Sequence, residues 1–294
     1  MDKLSVVAGK SSEELAERIA RRLKAGLVGV QYVTFPDGEG KLTLDGKLSD
    51  QRIVVVQSVC PPVDINLIQA LSLIVKARES APKVVAVIPY MGYSRQDREF
   101  LPGEIITMRV LARLFKGAGA SEIIVADIHS KTGLDHFKIK SQNVTAMPEL
   151  ARHFKKMDLK DPLVVSPDQG GSARAAEFAK RLKTGYITLV KQRDRRTGRV
   201  RIMTKGVNGI TNRDLILVDD MISTGGSIVK AAKFLKRQGC RRVFAACTHG
   251  LLINGAEKKI TSAGVTKIIS SNTIAGKTAS VDMSGVIAKA IGHA

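Results

Sequence analysis

The sequence predicts an α/β protein of two similar domains, each a mostly parallel sheet flanked by helices, and three observations predict it. Short runs that are apolar at nearly every position alternate with amphipathic helical stretches along the chain. Such runs belong to strands covered on both faces, the setting of a parallel sheet between helices. The order strand, loop, helix, strand also recurs: RIVVVQSV, a helix and KVVAVIPYM in the first half are matched by DLILVDDM, a helix and RRVFAACTH in the second. A length of 294 residues suits two domains of about 150. The junction is expected between 145 and 162, drawn as domains 1–147 and 148–294. One long doubly wound sheet is the alternative.

Taken in order, RIVVVQSV (52–59) is a buried strand, INLIQALSLIVKARE a helix and KVVAVIPYM (83–91) the next strand. ITMRVLARLFKGAG carries apolar residues three and four apart and ends in glycines, which predicts a helix and its stop. SEIIVADIH (121–129) is another strand. After the turn at Asp161 and Pro162 come the strand LVVSPD, the helix SARAAEFAKRL and the strand YITLVKQ. DLILVDDM, GSIVKAAKFLKRQG, RRVFAACTH and TKIISSNTI then read as strand, helix, strand and strand.

Composition narrows the function. No apolar run approaches the roughly 18 residues a membrane span needs. The first 23 residues carry acids where a signal peptide would be apolar, so the cytoplasm is expected. Cys60, Cys240 and Cys247 share no metal-type spacing and read as buried thiols of a reducing compartment. The formal net charge is +20, and it is uneven: residues 1–150 hold 20 basic and 17 acidic groups, residues 151–294 hold 27 and 10. Such a field favours anionic partners. Nucleic acid is disfavoured, because only 4% of residues are aromatic, Trp is absent and no recognition motif occurs. A small polyphosphate would use the same field.

The segment LILVDDMISTGGSIVKAAKFL carries the chemistry. A buried strand ends in Asp219 and Asp220, and a small-residue loop of Ser223, Thr224, Gly225, Gly226 and Ser227 opens a helix. Ligands of open α/β sheets sit beyond the carboxyl ends of the strands. The free amides and dipole of a helix N-terminus favour an anion, glycines allow close approach, and hydroxyls add donors. Two carboxylates suit sugar hydroxyls or a hydrated cation. Phosphate in the loop and a diol on the carboxylates describe a phosphosugar.

This segment resembles the phosphoribosyl diphosphate loop shared by type I phosphoribosyltransferases and ribose-phosphate pyrophosphokinases. FPDGE (35–39), PYMGYSRQDR (89–98), ADIHS (126–130), VVSPDQGG (164–171) and KQR (191–193) resemble the pyrophosphokinase signatures, in family order and over residues 1–275. The resemblance implies two type I phosphoribosyltransferase-like domains. It implies transfer of the β,γ-diphosphate of ATP to the 1-hydroxyl of ribose 5-phosphate, giving 5-phosphoribosyl 1-diphosphate and AMP.

The same resemblance implies roles. Phe35, Asp37, Gly38 and Glu39 would bind ATP from a neighbouring subunit, making the protein a homo-oligomer, at least a dimer. Arg95 and Gln96 would bind ATP from the same subunit. His129 and Asp168 would hold Mg²⁺ between the domains, with Asp127 orienting His129. Lys191 and Arg193 would be catalytic, Arg193 also binding ribose 5-phosphate with Asp219, Asp220 and the 223–227 loop. KQRDRRTGRVR (191–201) sets six basic residues against Asp194 and is expected to be mobile when empty and to close over bound polyphosphate.

The chain departs from the commonest family pattern at Ser223, Gln192, Gln169 and Ile105, and Ser223 bears on phosphate contacts. Two other readings stand beside the enzyme. A phosphoribosyltransferase shares the loop but not FPDGE, RQDR or a second domain. A catalytically silent associated subunit is disfavoured by intact Lys191, Arg193, His129 and Asp168.

Overall fold

The computed structural model describes residues 4–48, 51–193, 200–205 and 209–292, with side chains described outside 191–208. The chain divides into two compact units. The first comprises residues 1–145 with 273–275 and 282–294, and the second 146–272 with 276–281. A cut at 147/148 would assign the chain's end to the second half; by packing it belongs to the first.

The first unit contains β1 (Leu4–Ala8), α1 (Glu13–Leu23), β2 (Gly26–Val28), β3 (Val30–Thr34), β4 (Gly40–Leu44), β5 (Arg52–Val56), α2 (Val63–Ser80), β6 (Lys83–Ile88), α3 (Thr107–Gly117), β7 (Glu122–Ala126) and β8 (Lys140–Val144). Six strands form a wholly parallel sheet in the order β2-β1-β5-β6-β7-β8, while β3 and β4 pair as a separate antiparallel hairpin. In α1 the residues Leu15, Ala16, Ile19 and Ala20 are buried on one stripe, and acids in its first turn with bases in its last complement the helix dipole. The last helix, Ser284–Gly292, packs on α1. Arg22 Nε donates to Ser284 Oγ at 2.7 Å, and Arg52 Nη2 donates to the Ile291 carbonyl at 2.8 Å.

The second unit contains α4 (Met147–Phe154), β9 (Leu163–Ser166), α5 (Ser172–Leu182), β10 (Tyr186–Arg193), β11 (Val200–Lys205), β12 (Asp214–Ile222), α6 (Gly226–Arg237), β13 (Arg242–Gly250), α7 (Ala256–Ser262), β14 (Val265–Ser271) and β15 (Ala279–Val281); the helix at Ser284–Gly292 is α8. Its sheet runs β11-β10-β9-β12-β13-β14-β15, parallel except where β11 pairs antiparallel with β10. Leu215, Leu217, Val243, Ala245 and Cys247 build the core beneath α6 and α7. On the other face Phe154 stands edge-on to Phe178 and Phe244, with ring centroids 5.7 and 6.1 Å away. Each unit is therefore a sheet flanked by helices, and ligands of such folds bind at the loops beyond the carboxyl ends of the strands.

Candidate functional site

In the second unit the site grows from three neighbouring strands, β10, β9 and β12. β12 is buried along its length and delivers Asp219 and Asp220 at its carboxyl end. The two carboxylates lie close together: the Asp220 backbone N–H donates to Asp219 Oδ1 at 2.9 Å. Burial first, then the hydrogen bond and negative charge of Asp220, push the Asp219 carboxyl up to about 8. Arg174, on α5, works against that shift, with Nη1 3.3 Å from Asp219 Oδ1 and Nη2 3.7 Å from Asp220 Oδ1. A guanidinium thus spans both acids and fixes their spacing.

The turn after β12 enters α6 through Gly225, whose φ of +76° is the left-handed conformation that favours glycine. Space makes the same demand, because a Cβ there would lie 2.7 Å from Ile260 Cδ1. Gly226 differs: a Cβ there would meet no atom within 4 Å. No N-cap side chain bonds to the start of α6 and no acid stands in its first turn, so neither offsets the positive end of its dipole. Thr224, Gly226 and Ser227 are exposed around it and Ser223 is half-buried. This amide-rich turn stands beside a carboxylate pair, an arrangement that suits an anion.

The adjacent strand β9 leads into Pro167–Gly171. Ser166 Oγ donates to the Asp168 carbonyl at 2.6 Å, and the Gly171 amide donates to Asp168 Oδ1 at 3.1 Å. Among the described residues Asp168 Oδ2 has no hydrogen-bond partner, so it presents an acceptor oxygen. β10 pairs with β9 through Tyr186–Thr188 and then runs on beside β11, where Lys191 and Arg193 stand opposite Ile202 and Val200. Their side chains, and residues 194–199 of the expected lid, lie outside the described residues.

The first unit carries the remaining expected residues. FPDGE forms the tight turn of the β3–β4 hairpin: the Phe35 amide donates to the Glu39 carbonyl at 2.8 Å, and the Glu39 amide donates to Asp37 Oδ1 at 3.1 Å. Gly38 has a φ of +94°, and the Phe35 ring side chain is exposed rather than folded into the core. Arg95 and Gln96 are exposed in the loop after β6, and His129 is exposed after the neighbouring β7. Asp127 sits at the end of β7 with its amide bonded to the Val144 carbonyl at 2.8 Å. Between the two loops lies buried Asp97, which accepts hydroxyl hydrogen bonds of 2.6 Å from both Ser130 and Thr132. Sequence reasoning gave no role to Asp97 or to Arg174. Arg174 lies 45 positions from Asp219 on a separate helix, and only the fold brings it there.

Comparison with known proteins bears on both units. Residues 4–119 match the family described as the N-terminal domain of ribose phosphate pyrophosphokinase, and residues 147–283 match the phosphoribosyl transferase domain. The chain is 36% identical to a ribose-phosphate pyrophosphokinase of Methanobrevibacter smithii, covering 97% of this chain and 99% of that one. It is 34% identical to the one from Haemophilus influenzae, covering 99% and 96%. Among solved structures, phosphoribosylpyrophosphate synthetase from Mycobacterium smegmatis superposes with a TM-score of 0.86 at 28% identity, over 99% of this chain and 98% of the other.

Proposed function

The chain belongs to the ribose-phosphate pyrophosphokinase family, and on that premise we propose how its own residues divide the reaction. The enzyme transfers the diphosphate of ATP to ribose 5-phosphate, forming 5-phosphoribosyl 1-diphosphate for nucleotide biosynthesis. The observation that carries the proposal is the β12–α6 cradle. The 5-phosphate sits on the amides and hydroxyls of Ser223–Ser227, and the ribose diol bonds to Asp219 and Asp220. The acceptor 1-hydroxyl is thereby held still beside β9 and β10.

Arg95 and Gln96 take the ATP phosphates, while Phe35, Asp37, Gly38 and Glu39 bind the nucleoside end from a neighbouring subunit. The exposed hairpin turn supports that assignment, and the smallest working unit is then a homodimer. Lys191 and Arg193 stabilise charge on the transferring diphosphate, and positioning plus this stabilisation supplies the catalysis. His129 and Asp168 are the residues we assign to Mg²⁺: the Asp168 carboxylate offers a hard oxygen, and an ion that keeps most of its waters would need few further protein ligands. When bound, Mg²⁺ would neutralise negative charge on the nucleotide phosphates. No described helix is long and apolar enough to cross a membrane, and a cytoplasmic location belongs to the same proposal.

The test is direct. Purified protein given ATP, ribose 5-phosphate and Mg²⁺ should release AMP, and Lys191→Ala should lower kcat by roughly 10²–10⁴. A variant that retains full activity removes Lys191 from catalysis. Absence of AMP from the parent protein would favour a silent subunit.

A further inference from the structure

We infer that Asp97 is the positioning residue that joins the nucleotide loop and the His129 loop of the first unit into one rigid piece, so that ATP affinity and the metal requirement are set together. Asp97 is 4% exposed, although Arg95, Gln96 and Arg98 around it are exposed. Its Oδ2 accepts the hydroxyls of Ser130 and Thr132, each at 2.6 Å, and its carbonyl lies 2.8 Å from His136 Nε2. The neighbouring Gln96 carbonyl accepts the Met108 amide at 3.1 Å, which moors the same loop to the start of α3. Ser130 immediately follows His129, so the hydroxyl bonded to Asp97 fixes the backbone next to the imidazole.

Burial alone would raise the Asp97 carboxyl, yet the two hydroxyls, with Arg98 at 3.5 Å, bring it down to about 2. A buried carboxylate is costly unless hydrogen-bonded, and its bonds to neutral donors are stronger than those between neutral groups. The core would be served equally by an apolar residue here. What a buried acceptor oxygen adds is a fixed distance between two loops on adjacent strands, β6 and β7. Asp97 touches no reacting atom in this scheme.

The inference rests on the assignment of Arg95 and Gln96 to ATP and of His129 to the metal. Asp97→Ala should raise both the KM for ATP and the Mg²⁺ concentration giving half-maximal rate at saturating ATP, each roughly tenfold, the scale of losing hydrogen bonds to a charged group. The KM for ribose 5-phosphate should stay within about twofold, since that site lies in the other unit. Asp97→Asn, which keeps an acceptor oxygen, should restore most of both constants. The double variant Ser130→Ala/Thr132→Ala should reproduce the loss and carries the test if Asp97→Ala does not fold. A fall confined to kcat or to the folded fraction, with both constants unmoved, overturns the inference. Arg95→Ala and His129→Ala are measured alongside. If neither shifts its own constant, the site assignment itself fails; if both do while Asp97→Ala and the double variant do not, only the coupling fails.

Discussion

Gly225 and Gly226 are identical in the sequence and opposite in what they do. At Gly225 both the φ of +76° and the nearness of Ile260 exclude a side chain. Gly225→Ala should therefore cost roughly 1–3 kcal/mol, read as a lower urea midpoint. Gly226→Ala should leave that midpoint unchanged and raise the KM for ribose 5-phosphate, because its methyl would enter the open space where the proposed phosphate sits. The Asp219 carboxyl predicts a pH signature. An unfolded aspartate loses its proton near pH 4, whereas the folded one keeps it to about 8, so the unfolded state binds fewer protons between these values. Stability then falls as pH rises through this window. Asp219→Asn should resist urea better than the parent at pH 8, with the advantage shrinking toward pH 4; an equal midpoint at pH 8 would contradict the assignment. The acids and glycines were legible because they sit within a few positions of one another. Arg174 was not, since nothing local marks one arginine on an amphipathic helix as the counter-ion of a distant pair.

At the scale of elements, the apolar periodicity located β5, β6, β7, β9, β10, β12, β13 and β14 with the helices α2, α3, α5 and α6, because burial on both faces writes a continuous apolar run, whereas the short helices α4 and α7 went unread. β8 escaped notice: KSQNV is polar, and as the edge of its sheet it needs no apolar face. α8 was missed for another reason, since its partner α1 lies at the opposite end of the chain. The start of β12 shows what anchors such an element. Asp214 is fully buried, accepts from Arg241 Nη1 at 2.9 Å and from Arg242 Nη2 at 2.6 Å, and also takes the Lys160 amide at 2.8 Å. Burial alone would raise this carboxyl, but hydrogen bonds from Arg242 and Lys160 and the charges of both arginines lower it. With its folded pKa below the unfolded value, its stabilisation is complete above the ordinary aspartate range and is lost as pH falls through the folded value. Asp214→Ala should cost about 2–3 kcal/mol at neutral pH, less than breaking a fully buried pair because the arginines can turn to solvent. Denaturant titrations at neutral and acid pH should show that difference narrowing as the parent's carboxyl protonates.

Across the whole molecule the two sheets correspond strand for strand, β2-β1-β5-β6-β7-β8 with β10-β9-β12-β13-β14-β15. The correspondence was visible in the sequence only for the central strands. It makes the turn after β5 the counterpart of the cradle after β12, yet that turn holds protein instead of ligand. Gln57 is fully buried there, donating to Asn66 Oδ1 at 3.0 Å and Gln69 Oε1 at 3.3 Å while accepting the Ser11 amide at 3.2 Å. Calorimetry should accordingly count one ribose 5-phosphate per chain. The proposed sharing of the ATP site predicts complementation: Phe35→Ala and Lys191→Ala proteins, each impaired alone, should regain activity when dissociated and reassembled together, as one mixed site has both residues intact. No regain would place FPDGE in the service of its own subunit.

The return of the chain's end to the first unit orders events in time. A ribosome emits residues 1–145 first, but helix α8, which covers α1 and accepts hydrogen bonds from Arg52 and Arg22, emerges after every strand of the second unit. During synthesis the second unit has all its strands and can close while the first still shows the apolar stripe of α1 to solvent. The half that is translated first is thus completed only after the second, by a segment that follows the β12–α6 turn in the chain.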